Sequence, residues 1–333
     1  MNHFFWKNWV IILLILLPVV LFSAACGTVS WQSQKVLALP YKGAITISPN
    51  ERLIANASSD EQGLVSVLVL SNGQEVKHRV LQSHVSCLAF SPDGRHLAIG
   101  WSKSSIHKIA SDTKRIGVSL WDFKRQYRQF EIATGTWVFD TPTQLRFSPD
   151  AKTLWMASTD NLRAWSISSG KLKWQWRNAE GRDSSLPFFS TLSMDCRLNF
   201  RSDSSGYTVW DIKTGKRLLR TKLPYLADAD LDFSPDASVG TYYADTPKGI
   251  LNYLIDTRTG RVLWKSKGDS GITLTADKAI RRNAYEFEVC DTRNGRILYT
   301  LPANARSVPL SSTSRRWLYT INDKNHLLRQ RLR

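Results

Sequence analysis

The chain has 333 residues, 42% of them hydrophobic, with 13 Trp and 13 Phe. That composition excludes a disordered or low-complexity protein and leaves ample material for a core. A formal charge of +17 favours anionic partners, and four cysteines are too few for a disulfide-built scaffold.

At the amino terminus, Met1–Trp9 carries a single Lys7, and Val10–Phe22 is then aliphatic apart from Pro18. Ser23-Ala24-Ala25-Cys26-Gly27 comes next. Charged, apolar and small-residue segments in that order form a secretory leader. The apolar run, about 13 residues, is shorter than the roughly 20 that span a bilayer as a helix. No charge lies between Lys7 and Lys35, however, so an uncleaved anchor is physically allowed. The small residues before Cys26 resemble the lipobox of bacterial lipoproteins, with Ser23 where that pattern has Leu, and this resemblance implies acylation of Cys26. Three readings stand: a lipidated Cys26, an uncleaved helix, or secretion after Ala25. All three put the bulk of the chain outside the cytoplasm, which removes nucleic acid as the expected partner. Residues 1–25 are thus signal or anchor, 26–34 a short linker, and 35–333 one repeat domain.

That repeat is most legible in Val85–Gly100, where Ser91-Pro92-Asp93-Gly94 separates two apolar runs. Pro suits the second turn position, Asp and Gly tolerate the backbone angles of the next two, and the stretch is a strand, a turn and a strand. Seven anchors share the pattern, with the second residue at 48, 91, 148, 193, 234, 275 and 311. The spacings are therefore 43, 57, 45, 41, 41 and 36, a period that belongs to propellers. About 30 residues past most anchors come Leu120-Trp121-Asp122, Ala164-Trp165-Ser166, Val209-Trp210-Asp211, Leu254-Ile255-Asp256 and Val289-Cys290-Asp291. Four of these run into a turn ending at Gly170, Gly215, Gly260 or Gly295. Four residues later stand Trp174, Leu219, Trp264 and Tyr299. Turn acids between second and third strands include Asp60, Asp160, Asp203 and Asp323.

The expected fold is all-β: a seven-bladed β-propeller with four antiparallel strands per blade. After the last anchor only three strands remain, so Gln34–Leu39 is expected to supply the fourth and close the ring, removing two exposed edges. Phe90–Gly94, Trp121-Asp122, Trp210-Asp211 and Asp211-Ile212-Lys213-Thr214-Gly215 resemble the WD-repeat family over roughly residues 35–333. The family's His–Ser/Thr–Trp–Asp tetrad is mostly absent, with Ser83-His84 standing where Gly-His is common, so the resemblance is to a divergent, bacterial-type member.

No catalytic, cofactor or metal constellation is expected. Gly268-Asp269-Ser270-Gly271 resembles the nucleophile segment of chymotrypsin-like proteases, yet it falls in an inter-blade connection without a triad context. Asp256–Trp264 resembles the tryptophan-docking repeat of quinoprotein dehydrogenases, but any large apolar residue fills the late position, which points to packing between blades. Cys87 and Cys290 read as small core residues and Cys196 as a partly exposed turn residue. The six His form no close pair suited to a metal.

The extra length of the second repeat, Ser102–Gly117, is polar and basic. Lys103, His107, Lys108, Lys114 and Arg115 are the expected partner-binding residues, on a loop sharing a propeller face with Arg177–Ser185. The basic stretch from Arg281 to Arg333 is a second expectation, for contact with anionic lipid headgroups. The leading expectation is a non-enzymatic, membrane-anchored scaffold for other proteins. Two rivals are an envelope-assembly lipoprotein, similar to the propeller of the outer-membrane barrel-assembly machinery, and a hydrolase or lactonase using the central channel. Acids and His lining that channel would favour the hydrolase.

Overall fold

The Ser-x-Asp anchor acts as a hydrogen-bonded device, repeated around the ring. In blade two the Ser91 hydroxyl donates to Asp93 Oδ1 at 2.5 Å and accepts the His96 amide at 2.8 Å. Asp93 in turn accepts the Arg95 amide at 3.0 Å. Ser148 with Asp150, Ser193 with Asp195 and Ser234 with Asp236 repeat the arrangement, and Ser48 does so with the neutral Asn50. Hydroxyl and carboxylate together satisfy amides that the tight turn would leave without partners.

These hairpins are the first halves of seven four-stranded antiparallel sheets. The computed structural model describes residues 34–60, 62–80, 83–103, 116–122, 127–135, 141–158, 161–177, 189–203, 206–221, 231–234, 236–246, 249–267, 272–275, 277–283, 286–303, 308–310 and 316–332. The first strand, β1, is Gln34–Ala38. Blade one is β2 (Ile45–Ile47), β3 (Leu53–Ala57), β4 (Leu64–Val69) and β5 (Glu75–Val80). Blade two is β6 (His84–Phe90), β7 (His96–Ser102), β8 (Ile116–Asp122) and β9 (Tyr127–Gly135). Blade three is β10 (Gln144–Phe147), β11 (Thr153–Ala157), β12 (Asn161–Ser166) and β13 (Leu172–Arg177). Blade four is β14 (Phe189–Leu192), β15 (Leu198–Asp203), β16 (Gly206–Asp211) and β17 (Arg217–Thr221). Blade five is β18 (Leu231–Phe233), β19 (Val239–Thr246), β20 (Gly249–Asp256) and β21 (Val262–Lys267). Blade six is β22 (Ile272–Leu274), β23 (Lys278–Arg282), β24 (Glu286–Asp291) and β25 (Ile297–Pro302).

Blade seven is β26 (Val308–Leu310), β27 (Trp317–Ile321) and β28 (His326–Arg331), completed by β1, as expected from the sequence. Gln34 lies opposite Arg329 and Ala38 opposite His326. Asn325 secures the junction, its side-chain nitrogen donating to the Leu39 and Tyr41 carbonyls at 2.8 Å each. The unit Ser33–Arg333 is thereby a closed ring. No described helix is long and apolar enough to cross a membrane.

The core lies between blades. Ala89, Val118 and Leu120 of blade two pack on Leu145, Phe147 and Leu154 of blade three. Phe200 and Tyr207 of blade four meet Phe233 and Tyr242 of blade five, with the two Phe rings 5.5 Å apart and edge-on. Each fully buried large side chain contributes about 1.5–3 kcal/mol, so an alternating strand secures its blade on both faces.

The residue after each Ser-x-Asp anchor sits in the left-handed region: Glu51, Gly94, Ala151, Cys196 and Ala237 all have φ between 53° and 66°. Only Gly94 is a glycine, and the others pay a backbone cost of about 1–2 kcal/mol. The conformation points the side chain at the preceding blade. Cys196 reaches the Phe147 carbonyl, with Sγ 3.4 Å from the oxygen, and Glu51 accepts the Tyr319 hydroxyl at 2.9 Å across the closing seam. Cys196 is accordingly buried at 7% exposure, not partly exposed as its turn position suggested.

Candidate functional site

Because strands alternate in direction, the ring has two distinct faces. First-to-second and third-to-fourth turns share one face, the turn face. Second-to-third loops and blade-to-blade connections share the other, the loop face.

On the loop face, Lys103 lies just past β7 and is exposed. His107, Lys108, Lys114 and Arg115 lie outside the described residues, as do Cys26, Ser270 and residues 178–188. Of the turn acids expected here, Asp60 accepts the Gln62 amide at 3.0 Å. In the last hairpin Asn322 takes that role instead of Asp323, accepting the Lys324 and His326 amides. Asn325 then adopts φ 58°, which a short amide side chain tolerates.

The first strand of each blade faces the ring axis, since β6 touches β2 and β10, and β18 touches β14 and β22. Their half-exposed side chains include Thr46, Ser86, Gln144, Arg146, Ser190, Asp232 and Thr273. Gln144 Oε1 accepts the Leu192 amide at 2.6 Å and the Thr191 hydroxyl at 3.1 Å. Arg146 Nε donates to the Leu192 carbonyl at 3.2 Å. These groups join blades three and four. Among the described residues no three of His, Cys, Asp and Glu are grouped to hold a metal.

Burial acts to raise the Asp93 carboxyl, but the Ser91 hydroxyl and Arg95 amide hold it below its ordinary value. Asp122, buried, accepts Arg95 Nη2 at 2.8 Å and lies 3.9 Å from His96 Nε2. Cys290 occupies the slot of Trp165 and Trp210 in the strand register and is fully buried. Cys87, Cys196 and Cys290 are free thiols. Burial pushes Cys87 and Cys196 up to about 12, far from any nucleophilic role.

The tryptophan-docking resemblance resolves into packing, as expected. A Cβ on Gly295 would lie 2.7 Å from Trp264, and one on Gly260 would overlap Leu219. The Trp264 indole nitrogen donates to the Thr292 carbonyl of the next blade at 3.2 Å. Trp174 packs with Trp155 against Leu192 and Ile212 of blade four. Large side chain and glycine are thus complementary halves of an inter-blade joint.

The same third-to-fourth turns carry a charge pattern that the linear sequence concealed. Asp211 Oδ1 accepts the Thr214 amide and hydroxyl at 2.7 and 2.8 Å. Asp256 accepts the Arg258 and Thr259 amides, and Asp291 those of Arg293 and Asn294. The Thr214 amide and hydroxyl hold the Asp211 carboxyl low, against burial. Between and beside these occupied carboxylates, Lys213, Lys216, Arg217, Arg258, Arg261, Arg293 and Arg296 are all exposed. None of the seven forms an ion pair among the described residues. Leu218, Ile297 and Leu298 are exposed beside them, at 45%, 46% and 38%. The basic stretch expected from Arg281 onward divides accordingly. Arg281 pairs with Glu288, and Arg329 is stacked on Trp317 and bonded to Gln34, whereas Arg293 and Arg296 remain open.

Residues 45–140, which are blades one and two, match the family model described as the anaphase-promoting complex subunit 4 WD40 domain. Comparison with curated proteins gives no match. Among solved structures the chain is similar to the β-propeller domain of Cps50 (Swd1) from Myceliophteria thermophila. The identity is 11% and the TM-score 0.67, over 91% of this chain and 100% of that one. The sheet topology and the structural likeness together make this chain a seven-bladed β-propeller, whose blades one and two are similar to a WD40 domain.

Proposed function

We propose that the chain is a non-enzymatic, membrane-anchored, extracytoplasmic propeller that scaffolds other proteins through its loop face. The observation that carries this reading is the closed ring itself. Core clusters join blade seven to blade one and each of blades one to five to the next, and the longest connection between described strands of one blade, from β7 to β8, leaves it on the loop face. A rigid ring with one lengthened basic loop presents a surface without needing chemistry of its own. Lys103, His107, Lys108, Lys114 and Arg115 form that surface, and an acidic protein face is the complementary partner. A lipidated Cys26, or an uncleaved helix within residues 1–25, supplies the anchor.

The test is crosslinking with mass spectrometry on the native membrane fraction, comparing the native chain with a Lys103→Glu, Lys108→Glu, Lys114→Glu, Arg115→Glu variant. The neighbours crosslinked to the native chain are lost from the variant. Unchanged neighbours would overturn the loop-face assignment, and recovery of the chain in the cytoplasmic fraction would overturn the anchoring.

A further inference from the structure

We propose that the turn face of blades four to six docks on an anionic phospholipid surface, holding the ring flat against the membrane with the loop face outward. This rests on the membrane-anchored reading above, and three features of the ring support it independently.

The first is the state of the acids. In blades four to six the third-to-fourth turn places a carboxylate at its base, but Asp211, Asp256 and Asp291 each accept backbone amides of their own turn, while the seven cations of the same turns are exposed and outnumber them. An approaching phosphate meets the guanidinium and ammonium groups first. The fourth strands behind these turns, β17, β21 and β25, contain no acidic residue at all.

The second is the apolar rim. Leu218 is next to Arg217 in the chain, and Ile297 and Leu298 come directly after Arg296. Cation and aliphatic side chain adjacent at the edge of one face suit the boundary between headgroups and acyl chains, where the charge stays with phosphate and the apolar group enters. An acidic protein would use the cations but leave these aliphatic groups without a matching environment.

The third is where the chain enters the ring. Gln34 begins β1 at the end opposite Arg329, so β1 runs away from the turn face and residue 33 joins the ring on that face. Eleven residues, 23–33, separate the apolar run from Gln34. A tether through this segment therefore leaves the ring from the side that carries the open cations.

The experiment reconstitutes the full chain into vesicles of neutral phosphatidylcholine, with or without 30% phosphatidylglycerol, and tracks amine-reactive labelling of single lysines by mass spectrometry. Flotation with the neutral vesicles reports the anchor alone. Labelling of Lys213 and Lys216 falls at least threefold on adding the anionic lipid and recovers in 0.5 M salt, while Lys103 labels equally throughout. The variant Arg258→Glu, Arg261→Glu, Arg293→Glu, Arg296→Glu keeps both reporter lysines and its fold, and loses the protection. Flotation with equal labelling of Lys213 and Lys216 in both vesicle types overturns the docking surface while leaving the anchor standing. Failure to float with neutral vesicles overturns the anchor, and in that case salt-sensitive protection by anionic vesicles still supports the face. Protection by an acidic peptide with none from lipid assigns an acidic protein to this face and overturns the proposal.

Discussion

Replacing Ser91 with alanine removes two interactions of different kind, and their separation by pH tests how the turns are built. Ser91 is fully buried. Its hydroxyl is the acceptor for the His96 amide at 2.8 Å and the donor to Asp93 at 2.5 Å. Leaving a buried amide without an acceptor costs about 1–3 kcal/mol, and a hydrogen bond to a charged group is worth about 1.5–3 kcal/mol, less at a partly exposed carboxylate. Ser91→Ala is therefore expected to cost about 3 kcal/mol at pH 7. Asp93 has a folded-state value below its ordinary 3.8, so its contribution is present above that value and is lost as pH falls through the folded one. In Ser91→Ala the carboxyl moves back toward 3.8, and less stability remains to be lost. The difference between native and variant proteins thus shrinks between about pH 5 and pH 2. Ser48→Ala, where the partner is the neutral Asn50, loses stability by an amount independent of pH over the same window. Denaturant unfolding at several pH values measures both. A Ser91→Ala penalty that is flat with pH, or below about 1 kcal/mol, would refute the reasoning.

The inter-blade joints give a second contrast. Gly215, Gly260 and Gly295 share positive φ, but a Cβ at Gly215 meets nothing within 4 Å. Gly215→Ala should therefore cost only the backbone term, about 1 kcal/mol, whereas Gly260→Ala and Gly295→Ala add overpacking of about 1–3 kcal/mol. Leu219→Ala in the Gly260→Ala background should recover part of that excess, read by a double-mutant cycle in denaturant. Conversely, Ala151→Gly and Ala237→Gly relieve left-handed strain and should each stabilise by about 0.5–1 kcal/mol after the unfolded-state entropy of glycine is counted. Cys196, held up to about 12 by burial, should resist iodoacetamide at pH 8 in the native protein and react fully once unfolded, as peptide mapping will show.

The ring was legible because its signals are local. A Ser-x-Asp turn must satisfy particular amides and a Gly turn must reach positive φ, so both recur in sequence wherever blades recur. The closing strand was legible too, since the last repeat, from Val308 onward, holds only three strands and leaves one unpaired edge. What escaped depends on neighbours. Nothing beside Cys196 in the sequence says that φ 57° turns its side chain onto blade three. The grouping of the turn-face cations also escaped, because the seven come from three separate repeats, at 213–217, 258–261 and 293–296, which only the ring brings to one face. The basic run from Arg281 onward looked uniform, although Glu288 occupies Arg281 and leaves Arg293 exposed.

Both functional faces are defined by the ring closing through β1, so that pairing is the claim to test most directly. Ala38 and His326 are opposite each other in an antiparallel pair, within reach of a disulfide. In the Ala38→Cys, His326→Cys variant, mild oxidation should form an intramolecular crosslink joining the two ends of the chain in a monomer. Ala38→Cys with Arg329→Cys, which is out of register, should not crosslink. Equal crosslinking of the two pairs, or crosslinks found only between separate chains, would contradict the closed ring and with it the assignment of both faces.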